Sequence, residues 1–491
     1  MSPRYPLLYQ INTRVWLTEL ARTLGRPATL DDIPDAELDR ISQLGFDWVW
    51  LLSVWQTGEA GKQLSRSNPE WLHEFKETLP DLCDADIPGS GFAITGYKVH
   101  DRLGGDAALA RLRERLRKRQ LRLMLDFVPN HTALDHPWVR NHPEYYIQGS
   151  EERLSREPKN YTRVKPGRQE LILAHGRDPY FPGWRDTLQL NYGNPATQAA
   201  MMDQLAKIAE QCDGVRCDMA MLILPEVFER TWGIACNPFW PEATRRVRQR
   251  AAEFCFVAEV YWDLEWTLQQ QGFDYTYDKR LYDRLRHGNA RPVREHLSAG
   301  LDFQDKLARF LENHDEPRAA AAFPEAMHKA AAVVTFFAPG LRFFHHGQLT
   351  GRAKRIPAHL GRAPDEPVDA ALQTFYGQLL EALRRPIFRG GRWQLLECVP
   401  AWEGNASSEA FIACSWQGSD DAKCVVAVNY AGHSSQCYVR LPFAGLTARK
   451  WQLRDLLGQQ VYERDGTELG AKGLYLDVPP WQCHIFEVTA A

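Results

Sequence analysis

The segment LRLMLDFVPNH, residues 121–131, carries the pattern from which the fold prediction starts. Apolar side chains dominate Leu121–Val128, and polar residues follow directly. Such a run is typical of a β-strand that is covered on both faces, as strands of parallel sheets are. The amphipathic stretch Ala107–Arg119 leads into this run and predicts a helix. A helix followed by a fully covered strand predicts a parallel βαβ unit.

The same unit recurs along the chain up to residue 346, and helical stretches such as Asp31–Leu44 separate the apolar runs. Eight candidate strands can be recognised: Tyr9–Trp16, Phe46–Trp55, Leu121–Val128, Asp213–Asp218, Cys255–Val260, Phe273–Tyr277, Ala308–Asn313 and Leu341–His346. Eight parallel strands predict a closed (β/α)₈ TIM barrel. An open, doubly wound sheet is the alternative that this pattern leaves.

Three other regions depart from the barrel pattern. Residues 131–194 are rich in Pro, Gly, Tyr and charge, and they are too long for a bare loop, which predicts a rim subdomain inserted after strand 3. A second polar insertion, 57–90, follows strand 2. From about residue 390, short alternating runs and the hairpin cue Asp465-Gly466 predict a C-terminal antiparallel β-sandwich. The predicted domains are therefore 1–130 with 195–389 for the barrel, 131–194 for the rim subdomain and 390–491 for the sandwich.

Charge and composition exclude some classes of partner. The chain has 59 basic and 62 acidic residues, which gives no electrostatic case for nucleic acid or a membrane surface. Ten cysteines occur singly without a CxxC pair, and the first residues lack the basic and apolar regions of a signal peptide. We therefore expect a cytoplasmic protein whose thiols are mainly reduced.

Ionisable residues directly follow several of the predicted strands. In a parallel barrel the carboxyl ends of the strands face one shared cavity, so these side chains should meet there. Arg216 and Asp218 lie two apart on a strand and leave the same face, so we expect the cation to keep the pKa of Asp218 low. Glu259 follows an apolar run that should raise its pKa. A carboxylate and a carboxylic acid in one site are the groups that cleave glycosidic bonds. The alternative is a structural role, in which these residues form buried ion pairs and helix caps.

Four short segments, DFVPNH, GVRCD, FVAEV and ENHDEPR, resemble the signature segments of the α-amylase family of glycoside hydrolases, in the family's order. LQLNYGNP, residues 188–195, resembles a fifth segment, at the point where the rim subdomain returns to the barrel. GYKVHDRLGG, residues 96–105, resembles the family's segment that leads to the second barrel helix. The resemblance covers nearly the whole chain.

The resemblance implies a role for each matching residue. It implies that Asp218 is the nucleophile, Glu259 the general acid/base and Asp315 a third carboxylate that grips sugar hydroxyls. Arg216 would orient Asp218, and Asp126 would support this group of residues. His131 and His314 would form hydrogen bonds with the sugar, and Tyr97 would stack on the same sugar. Arg318 would help to close the site.

The chain also departs from the family's pattern. Many endo-acting α-amylases carry Lys-His soon after the nucleophile, whereas Met219-Ala220-Met221 follows Asp218 here. ENHDEPR is more similar to members that act on short α-glucosides. Asn130 matches an asparagine that ligates structural calcium in many relatives, so a bound calcium ion is one alternative and a simple turn residue is the other. We expect no cofactor to be required for catalysis, and the sequence has no His/Cys pattern with the spacing of metal ligands.

These features predict a retaining α-glycoside hydrolase that cleaves α-glucosidic bonds of gluco-oligosaccharides or small α-glucosides by double displacement. Its partner would be that sugar alone, and the chain would be a monomer or a small homo-oligomer. The alternatives are a transglucosylase or isomerase of the same family, a non-catalytic carbohydrate-binding protein, and an unrelated metal-dependent barrel enzyme.

Overall fold

A computed structural model describes residues 3–167, 170–447, 449–458 and 460–491; positions 1, 2, 168, 169, 448 and 459 of the predicted domains lie outside it. Eight parallel strands close into a barrel in sequential order, which confirms the TIM barrel and excludes the open sheet. The strands are β1 Leu7–Asn12, β2 Trp48–Leu52, β3 Arg122–Phe127, β4 Gly214–Cys217, β5 Cys255–Ala258, β6 Tyr275–Tyr277, β7 Leu307–Arg309 and β8 Leu341–His345.

The eight predicted strands are all longer than the observed ones. A helix cap explains the difference at β1. The prediction carried β1 on to Trp16, but the side chain of Asn12 accepts a hydrogen bond from the Val15 N–H and begins a helix at Thr13. β7 ends at Arg309, so the polar residues that the prediction placed at the end of this strand lie in the loop that follows.

Helices surround the barrel and cover the outer faces of its strands. Those of the barrel region are Thr13–Leu24, Asp35–Gln43, Gly105–Arg117, Pro195–Gln211, Pro225–Trp232, Trp240–Arg248, Glu265–Gln270, Lys279–Arg286, Ala290–Leu297, Leu301–Gln304, Ala319–Ala322, Glu325–Phe336, Ala370–Leu383 and Pro386–Gly390. In the described part of the chain, no helix combines the length and the apolar character that a membrane span requires.

The two insertions are built from short elements at the carboxyl ends of β2 and β3. The first holds the helices Glu59–Ser67 and Pro69–Thr78, and the strands Trp55–Thr57 and Ile94–Val99 pair beside it. Residues 131–194 hold the helices Pro137–Asn141 and Glu151–Arg156 and two strand pairs, His131–Ala133 with Thr187–Gln189 and Tyr161–Val164 with Leu171–Ala174. Both insertions therefore lie at the end of the barrel where TIM barrels carry their sites.

The C-terminal part forms two antiparallel sheets with a shared apolar core. Its strands are β9 Arg392–Leu395, β10 Cys398–Pro400, β11 Phe411–Gln417, β12 Lys423–Asn429, β13 Ser435–Val439, β14 Lys450–Asp455, β15 Val461–Asp465, β16 Leu474–Val478 and β17 Cys483–Ala490. The order is β9-β11-β12-β17-β14-β15 in one sheet and β10-β13-β16 in the other. The hairpin expected at Asp465-Gly466 was wrong, because the Asp465 side chain accepts from Thr467 N and Glu468 N and begins the helix Gly466–Ala471.

A buried ion network outside the active site stabilises the β6–β7 side of the barrel. The carboxylate of Asp278 accepts from Arg309 Nη1 at 2.5 Å and lies 2.8 Å from His296 Nε2. Burial alone would raise the pKa of Asp278, but His296 and Arg309 lower it to about 2. The ionised carboxylate therefore stabilises the fold above pH 4, and this contribution of about 2 kcal/mol is lost as the pH falls from about 4 towards 2.

We predict that Asp278→Asn lowers the free energy of unfolding by about 3–5 kcal/mol, because the buried Arg309 loses its anionic partner. Asparagine can still cap the helix that begins at Lys279, so the loss of stability is due to the missing negative charge and not to a missing cap. The measurement is urea unfolding at pH 7 and at pH 3. The difference in the free energy of unfolding between the variant and the unmutated protein should be smaller at pH 3. Asp203→Asn, which breaks an exposed pair with Arg246, is the matched control. Equal stability of the two variants would contradict the prediction.

Candidate active site

A single guanidinium group organises the carboxyl ends of β3, β4 and β5. Arg216 on β4 is 1% exposed, and its Nη1 donates to Asp218 Oδ1 at 2.6 Å. Its Nη2 donates to Glu259 Oε2 at 2.7 Å, and its Nη1 lies 3.7 Å from Asp126 Oδ1. The structure therefore brings three of the predicted carboxylates together around the buried Arg216, at the end of the barrel where the strand pattern placed them.

The turn after Asp218 holds Glu259 in place. Met219 adopts a left-handed backbone conformation (φ +43°), and its N–H donates to Glu259 Oε2 at 2.8 Å. The N–H of Ala220 donates to the Glu259 carbonyl, and the hydroxyl of Tyr261 donates to Glu259 Oε1 at 2.8 Å. Non-glycine residues with positive φ are uncommon and concentrate at functional sites, so this turn is a device for positioning the carboxyl group.

The sequence drew attention to Met219 only as part of the segment without Lys-His, and Tyr261 was not singled out. Tyr261 lies two residues after Glu259, and a polar aromatic residue directly after the strand was the available signal. The segment after Met219 forms a short helical turn, Ala220–Ile223, whose side chains are all buried. Apolar residues fit this buried turn, where many endo-acting family members carry Lys-His.

Burial dominates the protonation of the carboxyl groups. It raises the pKa of Asp218 and outweighs the opposing effect of Arg216, so the expected low pKa of Asp218 was wrong. Burial also raises the pKa of Glu259. The charge of Arg216 lowers this pKa, whereas the charges of the nearby Asp218 and Asp315 raise it further. Asp126 is 1% exposed and accepts from Trp50 Nε1 and Ser53 N, and burial raises its pKa to about 7.

Two histidines and the third carboxylate complete the group. Burial lowers the pKa of His131 to about 4 and that of His314 to about 3, so both rings are neutral at pH 7. Gln10 Nε2 lies 2.9 Å from His314 Nδ1, and Asp315 Oδ2 lies 3.1 Å from His314 Nε2. The side chain of Asp315 is 44% exposed, whereas those of Asp218 and Glu259 are 8% and 4% exposed. Asp315 is therefore the most open of these three carboxylates.

Tyr97 lies close to this group, and the charges of Asp218 and Asp126 add to the effect of burial in raising the pKa of its hydroxyl. Its hydroxyl donates to the carbonyl of Val128 and accepts from the N–H of the same residue, both at 3.0 Å. Its ring packs edge-on against Trp55 and also contacts Phe127. These contacts fix both the hydroxyl and the ring of Tyr97.

Phe92 is one of the aromatic residues that the structure places among the site residues, together with Trp50. Its ring is stacked on His314 with 5.3 Å between centroids, and the Arg216 guanidinium lies 5.2 Å from the ring centroid. The sequence interpretation missed Phe92 because it lies just before the segment 96–105 on which the resemblance was based.

Arg318 forms a buried ion pair. It is 3% exposed, and its Nη1 donates to Glu312 Oε1 at 2.5 Å while its Nη2 donates to the carbonyl of His346. Glu312 is itself fully buried and accepts from Ala319 N. The pair holds the loop after β7 to the loop after β8.

The surroundings of Asn130 do not fit a calcium site. Its side-chain amide donates to Gln189 Oε1 at 3.1 Å, and its Oδ1 accepts from Gln189 Nε2 at 2.9 Å. Calcium is bound by several oxygen ligands, usually including carboxylates. Among the described residues, no three His, Cys, Asp or Glu side chains converge as a metal site would require. The two amides instead link Asn130 to the returning strand of the rim subdomain.

The barrel, the site at its carboxyl end and the sequence all match one family. The model of the α-amylase catalytic domain matches residues 29–378. The chain belongs to the α-amylase family. The family is one of glycoside hydrolases, and the relatives of this chain carry the names of hydrolases and of transferases.

Family members similar to this chain differ in activity and in length. The α-amylase MalA of Haloarcula japonica is 25% identical over 392 residues, which cover 77% of this chain and 48% of that protein. An α-1,4-glucan:maltose-1-phosphate maltosyltransferase of Salinibacter ruber is 32% identical over 152 residues, which cover 28% of this chain and 21% of that protein. The chain thus spans about half or less of the length of these relatives.

A solved structure confirms the α-amylase fold over the full chain. The noncanonic maltogenic α-amylase AmyB from Thermotoga neapolitana superposes with a TM-score of 0.71, at 17% identity, and covers 100% of both chains. At this identity the likeness shows the shared fold of barrel and C-terminal sheets, and the substrate has to be inferred from the site of this chain.

Proposed function

We propose that this chain is a retaining α-glucoside hydrolase that acts on gluco-oligosaccharides or small α-glucosides. One observation carries the proposal: the carboxyl groups of Asp218 and Glu259 share the guanidinium of Arg216. Sharing one group keeps the two carboxyls close together, and a spacing of about 5 Å is typical of retaining enzymes, whereas inverting enzymes leave room for a water molecule between them.

In the proposed reaction, Asp218 attacks the anomeric carbon while Glu259 transfers its proton to the glycosidic oxygen of the leaving group. The bond between the anomeric carbon and that oxygen breaks, and a glucosyl ester of Asp218 forms. Glu259, now ionised, takes a proton from water, and the water oxygen displaces Asp218 from the anomeric carbon. The product keeps the α configuration because two inversions have occurred, and Glu259 is again protonated.

The surroundings of Glu259 favour its role, whereas burial and Arg216 act in opposite directions on Asp218. Burial favours a protonated Glu259, as a general acid requires. Asp218 has to ionise, and its 2.6 Å hydrogen bond from Arg216 favours the carboxylate in competition with the same burial. The neutral His131 and His314 can each donate one N–H to a sugar hydroxyl, and the open Asp315 can accept from others. Asp126 would support Arg216 from β3.

Hydrolysis and transfer to a sugar acceptor use the same residues, so products have to separate them. We expect maltose, maltotriose or another short α-glucoside to be cleaved faster per bond than starch, because no charged residues line the segment after Asp218. The test is a product profile on maltose, maltotriose, trehalose, sucrose, isomaltose, glucosylglycerol and starch, with and without added acceptor. Free glucose in both cases supports hydrolysis, whereas products only with acceptor would establish a transglucosylase. Absence of turnover on the whole panel would favour a sugar-binding protein.

We further propose that stability does not depend on calcium at Asn130, because Gln189 occupies the polar atoms of its side chain. Dialysis against a chelator should leave the thermal unfolding midpoint and the activity unchanged. Asn130→Ala should lower the midpoint equally with and without added calcium, since it breaks the link to Gln189. A midpoint that falls on chelation and recovers with calcium would contradict this proposal.

A further inference from the structure

The two oxygen atoms of the Glu259 carboxyl group have different kinds of hydrogen-bond partner. Oε2 accepts from Arg216 Nη2 at 2.7 Å and from the N–H of Met219 at 2.8 Å. Among the described residues, Oε1 has a single partner, the hydroxyl of Tyr261 at 2.8 Å. The surroundings therefore distinguish two oxygen atoms that are equivalent in an isolated carboxylate.

The partners of Oε2 exclude a proton from that oxygen. A guanidinium N–H and a backbone N–H donate hydrogen bonds and cannot accept them. A proton on Oε2 would point at one of these two donors, at 2.7 or 2.8 Å, and that donor would lose its acceptor. The acid form of Glu259 therefore carries its proton on Oε1.

Tyr261 suits both protonation states of Oε1. A phenol hydroxyl can accept a hydrogen bond from the acid and donate one to the carboxylate, which Arg216 and the N–H of Met219 cannot do. Burial raises the pKa of Tyr261 well above its ordinary value, and the charge of Glu259 adds to this effect. The phenol therefore stays neutral at neutral pH, so it holds the proton of Glu259 without supplying one of its own.

The backbone after Tyr261 fixes its position. The next two residues, Trp262 and Asp263, both have φ of +63°, which side chains other than glycine rarely adopt. Asp263 also pairs with Arg280, on the helix that follows β6. The sharp turn and the ion pair together hold the phenol beside the carboxyl group of Glu259.

We propose that Tyr261 is a positioning residue that keeps the transferable proton of Glu259 on Oε1 until the leaving group takes it. This inference rests on the proposed function. In the first step the Oε1 proton moves to the glycosidic oxygen, which also receives the electron pair of the broken bond, and the Tyr261 hydroxyl turns to donate to the new carboxylate. In the second step Oε1 takes a proton from water, and the phenol again accepts from Oε1–H.

The test compares two substrates that share the glucosyl unit and differ in their need for a proton. One is the best α-glucoside from the panel, and the other is α-D-glucosyl fluoride, whose fluoride ion leaves without protonation. Tyr261→Phe keeps the ring and removes only the hydroxyl. It should lower kcat/KM for the α-glucoside by about 30-fold, which is part of the roughly 100- to 10,000-fold that a positioned acid contributes. It should change kcat/KM for the fluoride by less than about twofold, because this value reports the first step.

The pH profile of kcat/KM on the α-glucoside is a second readout, which a purely structural role would not move. The charged and titratable groups that face Glu259 from the other elements are Arg216, Asp218, Asp315, Tyr277, His131 and His314. All of them remain in Tyr261→Phe. The variant removes the hydrogen bond to Oε1, and such a bond stabilises the charged carboxylate more than the neutral acid. Glu259 should therefore keep its proton to higher pH, and the alkaline limb of the profile should move in that direction.

Tyr430→Phe is the matched control. It also removes a buried phenol hydroxyl, which donates to the carbonyl of Leu285 at 2.7 Å and has no contact with Glu259. It should leave both kcat/KM values and the alkaline limb unchanged. An equal fall on both substrates in Tyr261→Phe would overturn the proposal, and so would an unchanged α-glucoside value or an unmoved alkaline limb. If the unmutated enzyme cleaves neither substrate, the proposed function itself fails, which is a distinct result.

Discussion

Asp218→Asn should lower kcat on the best α-glucoside by about 10,000-fold, because an amide oxygen cannot form the glycosyl ester. The asparagine is nearly the same shape, and its side-chain oxygen can still accept from Arg216 Nη1, so the site should stay assembled. We therefore expect the variant to bind substrate as tightly as the unmutated enzyme while turning it over hardly at all. Steady-state kinetics and calorimetric titration with the same sugar measure the two quantities.

The control for this variant is Asp203→Asn, which makes the same chemical change in an exposed pair with Arg246. It should keep full activity. If Asp218→Asn retained a tenth of the activity, Asp218 would not be the nucleophile. If the variant lost sugar binding together with activity, the Asp218 carboxylate would contribute to binding of the substrate before the reaction. The double-displacement mechanism does not predict this result.

Glu259→Ala should have an effect that depends on the leaving group. On maltose, or the best α-glucoside of the panel, kcat should fall by about 1,000-fold, because the glycosidic oxygen then leaves without a proton. On α-D-glucosyl fluoride the first step needs no acid, so the enzyme should accumulate as a glucosyl ester of Asp218. Mass spectrometry should then show intact protein heavier by one glucosyl unit.

Azide separates the role of Glu259 from that of Asp218, because azide attacks without a base. In Glu259→Ala it should displace Asp218 from the glucosyl ester and give α-glucosyl azide, whose configuration is read by NMR. In a variant that lacks the Asp218 side chain, Asp218→Gly, azide would enter from the opposite face and give the β product. The Glu253→Ala variant, at a side chain that is 79% exposed, should behave like the unmutated enzyme. A β product from Glu259→Ala would contradict the assigned roles.

The sequence could predict the barrel and the core of the site because both depend on local patterns. A parallel strand buried on both faces is mainly apolar, and β3, β4 and β5 could be predicted from such runs. A carboxylate at the carboxyl end of such a strand, or directly after it, is placed at the shared cavity by the topology, so Asp126, Asp218 and Glu259 followed from the strand assignments. The position of Asp315 depended on its motif, since β7 is only three residues long.

Side-chain direction in irregular segments could not be read in the same way. Phe92 lies among the site residues while Tyr97 packs on Trp55 and Phe127. The strand Ile94–Val99 pairs with Trp55–Thr57 through register shifts, so simple alternation does not tell which aromatic residue faces the cavity. Arg318 belongs to a motif that suggests substrate contact, but its partner is Glu312 within the same loop.

By itself, the sequence determined the architecture, the family resemblance and the chemical groups at the strand ends, because each depends on residue type and spacing along one stretch of chain. Only the tertiary structure decided which groups meet across the barrel. It placed Asp218 and Glu259 on one guanidinium, in surroundings where burial outweighs Arg216 in setting the pKa of Asp218. It also brought Tyr180 from the rim subdomain against Trp262. Burial and long-range contact arise from packing between distant segments, which no local pattern encodes.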